Sequence, residues 1–179
     1  GKREDPLVQE ALSEISTQAD RLSKIIQRVR TYAKRQHHEV KQENLSEIVD
    51  RALVSFRRSS LSSGIDVEVK APGKADALAD ALELELLIVN LLKNAAAASK
   101  DSREKLISVQ LSEEANEWLL SVSDHGQVIS DKLLSRLSHP AKSFSDGLGL
   151  GLSICRLIAE NHGGKLTFKP NNSKGLIVT

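Results

Sequence analysis

An α/β fold preceded by a long helix is what this sequence predicts, on three observations. Apolar residues between positions 8 and 33 recur four and three apart, the spacing of a helical seam. From position 44 onward, helical stretches alternate with short runs in which apolar and polar residues take turns, as they do in half-buried strands. Near the C-terminus, Ser145-Asp146-Gly147-Leu148-Gly149-Leu150-Gly151-Leu152-Ser153-Ile154 runs three glycines at alternate positions straight into a helical pattern. A flexible glycine turn therefore opens a helix whose first N–H groups lack intrahelical partners, which favours an anion.

Composition narrows the class before any motif is read. The 179 residues, 40% hydrophobic and 27% charged, suffice for one good core plus an appendage. Twenty-five basic residues against 24 acidic ones leave a net charge of +1, so no bulk field argues for a nucleic acid or an anionic membrane, and no nucleic-acid partner is expected. Cys155 is the single cysteine. It excludes an internal disulfide, and its place within Leu152 to Ala159 reads as core in a reducing, cytoplasmic setting. No run of about 18 apolar residues and no signal peptide is visible. With Gly1 first and no Met, the chain reads as a fragment, whose parent is free to carry an inner-membrane anchor elsewhere.

Asp5-Pro6 is a helix start, Asp as the cap and Pro at the first helical position. Val8, Leu12, Ile15, Ala19, Leu22, Ile26, Val29 and Ala33 then form the seam, with Ala11, Ile25 and Tyr32 widening it. Such a stripe wants a partner helix, as a coiled-coil spacer or as part of a dimerising bundle. From Lys34 to Glu43 the pattern lapses into a polar, charged linker, which divides a helical segment, 1–43, from a second domain, 44–179.

Asn44 with Glu47 three residues on is a capping-box-like start for a helix from Leu45 to about Ser60, with Leu45, Ile48, Val49, Ala52, Leu53 and Phe56 on one face. Gly64 ends it, and Ile65 to Val69 alternates as a strand before the turn at Pro72-Gly73. Ala81 to Ser99 is a long helix, apolar over much of its circumference, with Asn90 and Asn94 one turn apart on one face. Strands at Lys105 to Leu111 and Glu117 to Val122 form a hairpin around Ser112 to Asn116. The second delivers Ser123-Asp124-His125-Gly126. A short helix is expected over Ile129 to His139, a polar segment over Pro140 to Asp146, and a helix over Leu152 to Asn161, stopped by Gly163-Gly164. Lys165 to Phe168 and Gly175 to Thr179 are the last strands, around the turn Pro170-Asn171-Asn172.

Three features thus stand in order: the amide pair Asn90 and Asn94, Asp124-x-Gly126, and Gly147-x-Gly149-x-Gly151 at a helix start. Together they suggest a nucleotide site. An amide oxygen is a neutral, hard ligand suited to Mg²⁺, which keeps several waters and leans on substrate phosphates for the rest of its shell. The glycine loop would hold those phosphates. A carboxylate at the base of a pocket can accept a hydrogen bond from an exocyclic amine and so select adenine over guanine.

Asn90-Leu91-Leu92-Lys93-Asn94-Ala95, Asp124-x-Gly126 and Gly147-Leu148-Gly149-Leu150-Gly151-Leu152-Ser153-Ile154 resemble the boxes of the catalytic ATP-binding domain of sensor histidine kinases, within the GHKL superfamily. The resemblance covers about Leu45 to Thr179. It implies a two-layer α/β sandwich, a mixed sheet packed on helices, that binds Mg-ATP. It also implies roles: Asn94 as the Mg²⁺ ligand with Asn90 beside it, Asp124 and Gly126 at the adenine, and Gly147, Leu148, Gly149, Leu150 and Gly151 as the phosphate loop. Asn90 and Lys93 would stand near the transferred phosphate, although a surface position is the plainer reading of Lys93. Gyrase-type ATPases, MutL-like proteins and Hsp90 chaperones resemble the chain in fold but carry Glu where Asn90 stands. Glu can act as general base on water, whereas Asn cannot take a proton and leaves the γ-phosphate for transfer.

Residues 6 to 35 resemble the second helix of the dimerisation and phosphoacceptor hairpin of such kinases. The implied partners are therefore the hairpin helix that bears the phosphorylated histidine, a second copy of the chain, and a response regulator. His38-Glu39-Val40-Lys41 is the nearest imitation of the acceptor motif, but no Pro follows and only 56 residues separate His38 from Asn94, too few for a hairpin between them. His38 is read as a linker residue, and His125, His139 and His162 as pocket-rim, lid and helix-end residues. Two departures from the family pattern stand out. Gln127-Val128 follows Gly126 where a second glycine is usual, and in Pro140 to Ser145 the residues Ala141 and Ser145 replace a lid aromatic and a basic residue, leaving Phe144. They keep open two alternatives, a degenerate nucleotide-holding interaction module without kinase activity and a GHKL-type ATPase.

Overall fold

Asn44 fixes where the helical layer begins. Its Oδ1 accepts the N–H of Ser46 at 3.1 Å and that of Ala75 at 3.2 Å, while its Nδ2 donates to Glu47 Oε1 at 3.3 Å. The Asn44–Glu47 spacing thus makes a cap, through side chains on both sides. The computed structural model describes residues 39–138, 149–172 and 174–179. Two compact units divide the chain, Gly1–His38 and Glu39–Thr179. The helical seam and His38 lie outside the described residues, as do His139 and the segment from Pro140 to Leu148.

The second unit runs β1 (Lys41–Asn44), α1 (Leu45–Arg57), β2 (Asp66–Lys70), β3 (Asp76–Ala79), α2 (Ala81–Ala98), β4 (Leu106–Glu114), β5 (Glu117–Asp124), α3 (Asp131–Ser138), α4 (Gly149–Asn161), β6 (Phe168–Pro170) and β7 (Leu176–Val178). Five strands form one sheet in the order β2-β4-β5-β7-β6. The β2–β4 pair is parallel and the others antiparallel, so the sheet is mixed. β1 and β3 form a separate antiparallel pair.

Register decides which face of the sheet is covered. Val67 opposes Ile107, Val109 opposes Val122, and Val178 opposes both Val122 and Phe168. That face joins Ile48, Phe56, Leu92 and Ile158 of α1, α2 and α4 in one core. On the other face Ser108 opposes Ser123 and Gln110 opposes Ser121. One apolar face and one polar face make a two-layer sandwich, helices on one side only. Phe56, Ile48, Leu92, Ile107 and Ile158 are fully buried, and truncating any of them to Ala would cost about 2–5 kcal/mol.

Several elements differ from the reading of the sequence. β6 covers Phe168–Pro170, not Lys165 to Phe168, so Pro170 ends a strand where a turn was expected. Lys41–Asn44, inside the expected linker, is strand β1, held by β3, which the sequence did not announce; neither has the apolar alternation that signals a strand. The hairpin is longer than expected, leaving only Ala115 and Asn116 as its turn, at φ 50° and 65°, the left-handed pair that suits a two-residue connection. Helix α4 begins at Gly149, not Leu152. Gly149 and Gly151 therefore stand in its first turn, where packing against α2 outweighs the poor helix propensity of glycine. Among the described residues, no helix is long and apolar enough to cross a membrane.

Candidate functional site

Helix α2 is the spine of the site, and both of its neighbours hold it in place. Asp80 caps it, Oδ1 accepting from Leu82 N at 3.0 Å and Glu83 N at 3.1 Å. The Asp80 N–H donates to His162 Nε2 at 3.0 Å, which leaves the imidazole proton on Nδ1, 2.8 Å from the Ile158 carbonyl. His162, at the end of α4, is thereby a clasp between α4 and the start of α2. Cys155 faces the same helix, its Sγ 3.6 Å from the Leu87 carbonyl. Burial pushes its thiol up to about 12, so it is a core residue and not a nucleophile.

Asn90, Asn94 and Ala98 lie one helical turn apart, so one stripe of α2 carries both amides and ends on the Ala98 carbonyl. About 12 Å of helix axis separates the first from the last. At the Asn90 end, Nδ2 donates to the Leu86 carbonyl at 2.8 Å. That bond orients the amide and leaves Oδ1 as the atom presented to Gly151, where an added Cβ would stand 3.4 Å from Asn90 Oδ1 and 4.0 Å from Asn94 Nδ2. Gly151 thus places the first turn of α4 alongside both amides. Gly149 and Leu150 precede it in that turn, while Gly147 and Leu148 lie outside the described residues. Lys93 is half-buried between the two amides and Asn94 is exposed.

The other end of the stripe meets the end of β5. Asp124 is 5% exposed. Its Oδ1 accepts the Gly126 N–H at 2.8 Å, and a Cβ on Gly126 would stand 2.8 Å from both that oxygen and the Ala98 carbonyl, so only glycine fits between the carboxyl and α2. Ser102 Oγ donates to the His125 carbonyl at 2.6 Å, and His125 Nδ1 lies 3.2 Å from the Leu106 carbonyl. From the opposite side, Asn171 Nδ2 donates to the Asp124 carbonyl at 2.8 Å and Gly175 N to the Gln127 carbonyl at 3.2 Å. Burial raises the Asp124 pKa above the usual carboxylate range, opposed by the N–H groups of Gly126 and Leu176 and by His125.

The structure therefore brings Gly151 and, at the other end, Gly126 with Asp124 against the one stripe of α2 that carries Asn90 and Asn94. It adds residues that the motifs did not single out: Ser102, Asn171 and Gly175 for the Asp124 loop, and the Leu86 carbonyl for Asn90. In the sequence Asn171 reads as a turn residue and Gly175 as the start of the last strand, and neither reading joins it to Asp124. Chemically, one end offers a buried carboxyl that accepts donors and the other offers neutral amide oxygens. Among the described residues, no group of three His, Cys, Asp or Glu is placed to hold a metal by itself. A cation here would rest on the amides and on substrate phosphates, which fits Mg²⁺.

Known proteins resemble this chain in sequence and fold. Sensor protein FixL of Bradyrhizobium diazoefficiens is 31% identical over 176 residues, 95% of this chain and 34% of that protein. The C4-dicarboxylate transport sensor protein DctS of Rhodobacter capsulatus is 30% identical over 182 residues, 97% of this chain and 27% of that protein. The chain thus spans about a third or less of the length of these curated relatives. Among solved structures, the catalytic domain of histidine kinase ThkA superposes with a TM-score of 0.66 at 27% identity, over 78% of this chain and 93% of that one. ThkA in complex with the response regulator protein TrrA gives 0.70 at 25% identity, over 98% and 51%. Residues 79–179 match the family described as histidine kinase-, DNA gyrase B- and HSP90-like ATPase, and the chain belongs to that family as a catalytic ATP-binding domain of the sensor histidine kinase type.

Proposed function

We propose that this domain binds ATP with Mg²⁺ and passes the γ-phosphate to a histidine on the dimerisation hairpin of its own kinase, for relay to an aspartate of a response regulator. Asn90 carries the reading. The residue beside the phosphate end is an amide whose Nδ2 is already committed to the Leu86 carbonyl and whose Oδ1 cannot take up a proton at neutral pH. Water at the γ-phosphate therefore has no base on this helix face, whereas an imidazole nitrogen is a nucleophile without one. Transfer forms a bond from that nitrogen to the γ-phosphorus as the bridging P–O bond breaks and ADP leaves. Asn94 and Asn90 would hold Mg²⁺, which supplies charge neutralisation at the phosphates. Asp124, with Gly126 shaping its loop, would take the adenine amine, and residues Gly147 to Gly151 the phosphates, with Lys93 in reach of them.

Partners follow from the same reading. The apolar seam of residues 8 to 33 supports a homodimer through the N-terminal helix, and the ThkA–TrrA complex supports a response regulator as the recipient. The expected result is Mg²⁺-dependent ATP binding in calorimetry. Labelled phosphate should pass to a supplied hairpin bearing the acceptor histidine, while the chain alone stays unlabelled. No binding would leave a nucleotide-free interaction module, and steady phosphate release without an acceptor would leave a hydrolase.

A further inference from the structure

Asn171 lies in the β6–β7 turn, 47 residues from the loop that its side chain touches. The turn closes without that side chain: Asn171 N donates to the Gly175 carbonyl at 3.1 Å and Lys174 N to the Asn171 carbonyl at 2.9 Å, while Asn172 takes the left-handed conformation at φ 46°. An Asn in a turn ordinarily spends its side chain on its own backbone. Here Nδ2 reaches the main-chain carbonyl of Asp124 at 2.8 Å, the last residue of β5. Gly175 N holds the Gln127 carbonyl three residues on. The two bonds bracket the Asp124–Gln127 loop, inside which Gly126 N–H fixes one carboxyl oxygen of Asp124.

We propose that Asn171 is a positioning residue for nucleobase selection: by anchoring the Asp124 main chain, it sets the direction of a carboxyl that distinguishes adenine from guanine. The inference rests on the reading of Asp124 as the adenine contact. Removing the anchor lets the peptide at Asp124 rotate, and a carboxyl that moves by a fraction of an ångström meets an amine donor and a carbonyl acceptor with less difference. The phosphates, held at the Asn90 end of α2, are insulated from that change.

The test measures competition by ATP, GTP and inorganic tripolyphosphate, each with Mg²⁺, against a fluorescent ATP analogue on the 179-residue chain. Asn171→Asp keeps the shape but turns a donor into an acceptor facing a carbonyl. It should weaken ATP about tenfold, bring the ATP-to-GTP preference down by a similar factor, and leave tripolyphosphate binding unchanged. Asn171→Ala, which removes the bond without adding charge, should do the same and serves if the Asp variant does not fold. A variant that weakens all three ligands together, or that keeps the ATP-to-GTP ratio of the parent, overturns the proposal. Asp124→Asn run in parallel separates the two claims. If it too preserves the ratio, the adenine reading of Asp124 has failed; if it collapses the ratio while both Asn171 variants keep it, only the positioning role has.

Discussion

The two ends of the site are built on opposite plans. At the Asp124 end the carboxyl is buried and four successive residues, Asp124 to Gln127, are tied to Asn171, Ser102, Gly175 and one another. At the Asn90 end the Leu86 bond is the one side-chain hydrogen bond of the amide pair among the described residues, and Asn94 stands exposed on its helix. On the proposed reading of the site, the contrast teaches where each kind of specificity is stored. A base is recognised by a fixed donor and acceptor pattern, which requires geometry set before the ligand arrives. A metal-bound triphosphate brings its own charges and waters and can complete a looser frame. The sharpest way to break the contrast is to loosen the rigid end. Gly175 has φ 88°, and a Cβ there would collide with the Asp124 carbonyl oxygen and carbon. Gly175→Ala should cost about 3 kcal/mol, lower the melting temperature by roughly 10 °C and weaken ATP by about a hundredfold. Differential scanning calorimetry and ATP titration read both; a variant that melts and binds as the parent does would show that the loop is not braced by this turn.

The same contrast explains what could be read from the sequence. The amides and the glycine run act through local spacing, so Asn90, Asn94 and Gly151 were legible as a helical stripe and a close approach. The helices α1 and α2 were legible because Asn44 caps the first and the apolar faces repeat at helical period. The brace was not. Asn171 to Asp124 and Ser102 to His125 are contacts between residues 47 and 23 positions apart, and a single sequence contains no term for such pairs. β1 and β3 escaped for a related reason: four-residue strands of polar and small residues form because each supplies the other's hydrogen bonds, a tertiary cause with no local signature. The start of α4 at Gly149 is another case, since glycines that read as a loop are drawn into the helix by its contact with α2.

A smaller effect is expected at the open end. Asn94 is exposed and its side chain makes no hydrogen bond among the described residues, so Asn94→Ala should leave the melting temperature within about 1 °C of the parent. ATP affinity in Mg²⁺ should nonetheless fall about tenfold, and the loss should vanish when binding is measured in excess EDTA. Equal losses with and without the metal would move the metal ligand elsewhere. A fall in stability would mean that this end, too, is built into the fold.

The smallest effect separates function from stability at Asp124 itself. Its carboxyl has a folded pKa raised above the unfolded value, burial outweighing the N–H groups that oppose it. The folded protein therefore holds this proton more tightly than the unfolded chain, and stability from this group is full below the unfolded pKa and declines as pH rises through the folded one. Above its folded pKa the ionised Asp124 is a net cost to the fold, a cost that the proposed role as a charged acceptor would explain. Asp124→Asn removes the charge and keeps an oxygen for the Gly126 N–H. The variant should melt at or slightly above the parent at pH 7, and the gap should narrow as pH falls through the raised folded pKa, because the parent then takes up the proton as well. Melting curves of both proteins across that range check the sign. A gap that widens on acidification would mean that the folded carboxyl is stabilised in its charged form, and that the N–H groups of Gly126 and Leu176 together with His125 outweigh its burial.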